Sequence, residues 1–285
     1  MITLACAGRQ AGSGTACDND GVVAIVTFTT DFGSGDGYSG AMKGVVLSIA
    51  PDARLVDITH GVPAQDVTAG AVALAQAASL FPRGTIHVAV VDPGVGGAQA
   101  DILVESGGGL FVGPDNGVLS LAARPPCRIW RIEAPAFRRE PVSPTFHGRD
   151  VFAPTAGRLA AGAAPAEVGP QVETMVQIGT HPLHRRGGVL EGEVIHVDAF
   201  GNLITSLPAE SLVAAPDGEI AIEVEGGEGT FEPSVGRTFS DVDPGSLIAY
   251  AGSGGHVEIA RRDGSAARRI GAERGTIVRV RSSSG

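Results

Sequence analysis

The chain has a single lysine, Lys43, three cysteines, one tryptophan and two tyrosines among its 285 residues. Aromatic residues make up only 5% of it, so core volume has to come mostly from Val, Ile, Leu and Ala. Positive charge is scarce too: 21 Lys and Arg stand against 31 Asp and Glu, a formal net charge of −10. A nucleic-acid-binding protein needs a basic face to neutralise phosphates, and this balance argues against that class. Every basic residue except Lys43 is arginine, so an arginine here carries less information than in a lysine-rich chain. Cys6, Cys17 and Cys127 form an odd set without a C-x-x-C pair, which gives no metal spacing and fits a reducing cytoplasm. No apolar run approaches the length that crosses a membrane. Residues 1–21 lack the charged start and long apolar stretch of a signal peptide and read as a loose tail.

What is present is a globular composition, 43% hydrophobic and 18% charged. Its 42 glycines follow no G-x-y period, which excludes collagen. Strand and helix patterns alternate over the first two-thirds. Val22–Thr29, Arg54–Thr59 and Thr85–Asp92 are β-branched, strand-like runs. Between them, Tyr38–Ile49 and Asp66–Phe81 have helical spacing, with Asp66 as a candidate N-cap. Asp101–Glu105 and Leu110–Val112 read as a hairpin, Gly117–Ala123 as a short helix, Arg128–Ile132 as a strand and Arg149–Ala161 as a helix. This order predicts an α/β domain over residues 22–185, a mostly parallel sheet with flanking helices. From residue 189 to 283 only short strands separated by Gly, Pro and Asp appear, which predicts a smaller all-β barrel domain.

Ligands of open α/β sheets bind beyond the C-terminal ends of the strands. Three strands end there in Asp31, in Asp57 with His60, and in Asp92. One such Asp is ordinarily a turn or cap residue; three on one rim are harder to explain that way, although Asp57 keeps a structural reading. A metal site from Asp31, Asp92, His60 and His147 has no diagnostic spacing, and none is expected. Asp31-Phe32-Gly33 lacks the other kinase motifs, and the glycines after it match neither a phosphate loop nor a dinucleotide fingerprint. Asp115-Asn116 reads first as a turn or cap. His147 opens a helix, where the dipole favours the neutral ring.

The stretches TDFGSGDGYSGAMKGV (30–45), PDARLVDITHGVPAQD (51–66), FPRGTIHVAVVDPGVG (81–96), PDNGVLS (114–120), FHGRDVFAP (146–154), VDAFGNLIT (197–205) and AGSGGHVEIA (251–260) resemble one family in content and order. It is the S-adenosyl-L-methionine (SAM) hydroxide adenosyltransferases, the adenosine-forming SAM hydrolases, related to the fluorinases and chlorinases. The resemblance implies an α/β domain followed by a β-barrel. It also implies a homotrimer with SAM or adenosine held between one subunit's first domain and its neighbour's second. SAM is then the substrate, and no cofactor, metal, membrane or nucleic acid is involved.

The resemblance also implies roles. Asp31 would hold the ribose hydroxyls. Asp36, Asp198 and Ser253 would contact the methionine portion. Phe200 and Asn202 would form the adenine pocket, Phe146 would wall the site, and Glu258 joins the substrate-binding set. Asp92 and His147 match two members of a catalytic Asp-Arg-His set. The third departs from the family: Gln99 stands where the arginine belongs. Glutamine can hydrogen-bond Asp92 or a water, but it brings no charge. A charge-assisted hydrogen bond is worth about 1.5–3 kcal/mol, so the exchange predicts a roughly tenfold to hundredfold slower enzyme. Arg124, Arg138 and Arg149 are the other candidate sources of the charge. Two alternatives stand beside hydrolysis. One is a halogenase, suggested by the space at Gly148 and opposed by the anionic Asp92, which would repel halide. The other is a protein that binds SAM without useful turnover.

Overall fold

The computed structural model describes residues 23–178, 183–212 and 220–282; the tail expected over 1–21 lies outside them. The first sheet contains β1 (Ile25–Thr30), β2 (Arg54–Thr59), β3 (Ile86–Val90), β4 (Asp101–Ser106), β5 (Gly109–Pro114), β6 (Cys127–Arg131) and β7 (Gln171–Val172), in the order β2-β1-β3-β5-β4-β6-β7. Strands β2, β1, β3 and β5 run parallel, and β4, β6 and β7 complete the sheet by antiparallel pairing. Parallel alignment is what brings the ends of β1, β2 and β3 to one rim.

Both faces of the sheet are covered, which is why β3 is buried at every position. Helices α1 (Tyr38–Ile49) and α3 (Ala153–Ala160) belong to one face, where Val26, Phe28, Val88, Met42, Val46 and Phe152 form the core. Met42 and Val46 are one helical turn apart and both fully buried. Helix α2 (Val67–Ala78) covers the other face through Leu74, against Ala89, Val91 and Ile102. Asp66 caps it, accepting from Ala69 N at 3.0 Å.

The expected helix over Gly117–Ala123 is instead a series of turns. Gly117 has φ +100°, which is incompatible with a right-handed helix, and Ser120 and Ala122 bond back three residues rather than four. The segment before α3 is a single π-helical turn, Gly148–Phe152, rather than regular α-helix.

The second sheet contains β8 (His184–Arg186), β9 (Val189–Val197), β10 (Leu203–Pro208), β11 (Ile220–Gly226), β12 (Gly229–Phe231), β13 (Ser234–Val235), β14 (Leu247–Ala251), β15 (His256–Arg261) and β16 (Ile277–Ser282). Its order is β12-β11-β16-β9-β10-β15-β14-β13, with β8 paired to β9. The sheet curls into a half-barrel around Val194, Leu203, Leu207, Ile222, Ile259 and Val278. One short helix, α4 (Ala266–Ile270), closes against this core; Ser265 caps its start and Gly271, at φ +71°, ends it. The two sheets meet where Val72 of α2 touches Ile195 and Ile204, and where Arg274 bonds Asp66.

Candidate active site

Strand β3 delivers Asp92 to the rim, and the glycine turn after it determines what Asp92 meets. Val95 N bonds Asp92 O and Gly97 N bonds Gly94 O, so the chain doubles back into β4. The Gln99 side chain thereby lies over Gly94, where an added Cβ would sit 2.7 Å from Gln99 Oε1. Gln99 Nε2 donates to Asp92 Oδ1, while Asp92 Oδ2 is buried without a partner. Burial, reinforced by the neighbouring Asp101 carboxylate, raises the Asp92 pKa above the ordinary aspartate value, although Gln99 and His147 act against the shift. Asn116 steadies the strand end: its amide donates to Val91 O at 2.8 Å, and its carbonyl accepts from Val118 N. Asp115 accepts from Val176 N, so both residues of that turn are structural.

His147 stands at the N-terminal end of the π turn, as its sequence position suggests, but its partner was not legible. The ring Nδ1 lies 3.2 Å from Oδ1 of Asp101, the first residue of β4, which is only 8% exposed. Arg138 approaches the other oxygen of Asp101, with Nη2 3.8 Å from Oδ2, and donates to Ile132 O. Arg149 is committed elsewhere: it forms two hydrogen bonds to Asp150 and lies over the Phe146 ring. Arg124 bonds Leu121 O beside a separate groove.

At the end of β1, Asp31 accepts from Gln65 N through Oδ2 at 2.8 Å. His60 ties the adjoining loops together through Thr30 at 2.8 Å and Asp57 at 3.1 Å, and Lys43 completes the pairing of Asp57. Asp57 therefore has the structural role. Among the described residues, no group of three or more His, Cys, Asp or Glu side chains is placed to hold a metal ion. Asp36 is exposed on the turn before α1. Phe146 joins Phe32 and Tyr38 in a three-ring cluster with centroids 5.2–5.9 Å apart. The Gly148 position offers no open space: a Cβ there would meet Met42 Sδ at 3.1 Å, Phe146 at 3.3 Å and Phe32 at 3.5 Å.

The remaining expected residues cluster in the second sheet. Asp198 closes a turn after β9, accepting from Phe200 N, Asn202 N and Asn202 Nδ2 at 2.9 Å each. That turn holds the Phe200 ring out to solvent, 80% exposed, and buries Asn202. The three residues line a groove of about 670 Å³ with Phe239 and Tyr250. Tyr250 donates to Glu258 at 2.9 Å, and burial raises the pKa of that carboxyl. Ser253 lies on the exposed β14–β15 turn. A second groove, about 570 Å³, runs between loop 58–63 and residues 196–199. Asp31, Asp92, Gln99, Phe146 and His147 line neither groove.

A carboxylate pair and a histidine at the strand ends of an α/β sheet, joined to a half-barrel with an aromatic groove, define a small-molecule enzyme architecture. The SAM hydroxide adenosyltransferase N-terminal domain matches residues 26–169, and the C-terminal domain of the same family matches residues 192–279. The chain belongs to this family. It is 40% identical over 272 residues to the (R)-S-adenosyl-L-methionine hydrolase of Salinispora arenicola, covering 90% of this chain and 97% of that one. It is 41% identical over 266 residues to the hydrolase of the same name from Thermus thermophilus, covering 90% and 98%. Fluorinases are more distant, 28% identical for that of Actinoplanes sp., covering 83% and 90%. A solved structure of a conserved protein from Thermotoga maritima superposes with a TM-score of 0.80 at 32% identity, covering 90% of this chain and 99% of that one.

Proposed function

We propose that this chain hydrolyses S-adenosyl-L-methionine to adenosine and L-methionine. The observation that carries the chemistry is the Asp92 carboxylate, with one oxygen held by Gln99 and the other buried and unpartnered. A base with an elevated pKa takes a proton more readily than an ordinary carboxylate. Water attacks C5′ in line with the C5′–S bond. The C5′–O bond forms as C5′–S breaks, the electron pair returns to sulfur as the methionine thioether, and the water proton passes to Asp92. The sulfonium leaves without an acid, so no cofactor is required; what the site must supply is orientation and a fixed nucleophile. His147 orients the water.

In this reading Asp31 receives the ribose hydroxyls, since one carboxylate can accept from two vicinal donors. Phe32, Tyr38 and Phe146 exclude bulk water. Asp36, Asp198, Ser253 and Glu258 face the cationic methionine end, and Phe200 and Asn202 take the adenine. The exposure of Phe200 and Tyr38, 80% and 51%, supports a homotrimer in which a neighbouring chain covers them. A cytoplasmic location completes the reading, and no helix of the described residues is long and apolar enough to cross a membrane. The packed surroundings of Gly148 argue against a halide pocket.

The test is a product assay with purified protein and SAM, with and without chloride, using Asp92→Ala as control. Adenosine formed without chloride and lost in the control supports the reading. A 5′-chloronucleoside, or SAM binding without product, overturns it.

A further inference from the structure

We propose that Arg138 is the positioning cation of this centre, acting through Asp101 on His147 in place of the charge that Gln99 does not carry. The inference rests on the hydrolase reading and concerns Asp101 and Arg138, which lie outside the stretches that carry the resemblance. Three observations converge on it. Asp101 is almost completely buried, and a buried carboxylate needs partners. It has two, His147 on Oδ1 and Arg138 near Oδ2, so it bridges them. Of the three arginines that could replace the missing charge, only Arg138 reaches this group; Arg149 is bound to Asp150, and Arg124 lies beside another groove.

The electrostatic logic follows from the count of charges. Asp92 and Asp101 lie close enough for Asp101 to raise the Asp92 pKa. Two carboxylates beside one histidine, without a cation, oppose accumulation of negative charge as water attacks. Arg138 offsets Asp101. That leaves Asp101 as a hydrogen-bond acceptor that fixes the ring through Nδ1, with Nε2 as the nitrogen available to a water. The guanidinium is anchored by its bond to the Ile132 carbonyl, a backbone group between β6 and the segment carrying Arg138. Because the side chain is 31% exposed and 3.8 Å from Asp101, the effect belongs at the lower end of the range for a charged hydrogen bond.

The experiment measures kcat, KM and the pH dependence of SAM hydrolysis for native protein, Arg138→Gln, Arg138→Lys, Gln99→Arg and the double variant Arg138→Gln/Gln99→Arg. Arg138→Gln should lower kcat by about tenfold with little change in KM. Its acid limb should move to higher pH, because the Asp101 carboxylate, which raises the pKa of Asp92 beside Gln99 and His147, loses the cation that offsets it. Arg138→Lys should recover much of the loss. Gln99→Arg should raise kcat several-fold more in the Arg138→Gln background than in native protein, because each cation makes the other less necessary. An unchanged kcat and pH profile in Arg138→Gln overturns the inference, as do equal effects of Gln99→Arg in both backgrounds. If Arg138→Gln does not fold, the comparison passes to Asp101→Asn. That variant should lower kcat, and Arg138→Ala should cost less in its background than in native Asp101 protein; equal costs in both backgrounds overturn the inference. Absence of adenosine from native protein would instead overturn the hydrolase reading, so the two failures are distinct.

Discussion

Gln99 Nε2 donates to Oδ1 of Asp92, and Oδ2 of the same carboxylate is buried without a partner. The resemblance implies an arginine at this position, and the two side chains would act differently on Asp92. An arginine would hold Asp92 ionised and lower its basicity. Glutamine fixes the orientation but leaves the burial uncompensated, so Asp92 becomes a stronger base within a less positive site.

Asp92→Asn should therefore separate activity from stability. Hydrolysis should fall by about 10²–10⁴-fold, the usual contribution of a positioned base. Because the folded-state pKa is raised, Asp92's favourable contribution is complete below the unfolded pKa and is lost as pH rises through the folded one. Asparagine does not ionise, so the variant should melt about 1–3 °C higher than native protein at pH 7. Calorimetry at pH 7 and at about pH 4 should show the difference shrinking under acid conditions.

His87 predicts an acid-sensitive fold. It is 2% exposed, shares a hydrogen bond with Thr27 at 2.8 Å and stacks on Phe111, and burial lowers its pKa to about 4. The unfolded chain takes up this proton from about pH 6.5 downward and the folded chain does not, so stability falls between those values and the loss levels off below about pH 4. The loss should be on the order of 2–4 kcal/mol. Urea titrations from pH 7 to pH 4 measure it, and His87→Phe should flatten the profile.

Gly148→Ala tests how full the site is. The added methyl meets Met42, Phe146 and Phe32 at 3.1–3.5 Å. Overpacking of this kind costs about 1–3 kcal/mol, so the melting temperature should drop by about 3–8 °C. Displacement of the Phe146 ring should raise KM for SAM. A variant that melts like native protein and shows native KM would contradict the described packing.

The homotrimer reading predicts complementation. Asp92→Ala should be inactive, and Phe200→Ala should show a KM raised roughly tenfold through loss of stacking. Co-expressed, the two should show activity at low SAM several-fold above the mean of the separate variants, because some sites would combine an intact Asp92 from one chain with an intact Phe200 from another. Activity equal to the mean of the separate variants would mean that each chain builds its site alone.

The alternation of strand and helix was legible because the relevant periodicities are local. Tyr38–Ile49 and Arg54–Thr59 have the ends the sequence predicts, and Asp66 caps α2 as expected. Strand β10 and helix α4 were hidden: β10 follows directly on the turn that Asp198 closes, and α4 has only five residues, too few for a helical period. The rim carboxylates were legible because parallel strands bring their ends together. Asp101 and Tyr38 were not. Asp101 reads as the first residue of a strand, and nothing local marks it as buried or places it beside a histidine 46 residues away. Arg138 was one of three candidate arginines, and residue type alone could not choose among them where nearly every Lys-or-Arg position is arginine.

The most direct test of the central claim is to run the reaction in ¹⁸O-labelled water and weigh both products. Attack on C5′ predicts one heavy oxygen in adenosine, none in methionine, and no labelled adenosine from Asp92→Ala. Label in an amino-acid product, or adenosine formed without label, would contradict the account.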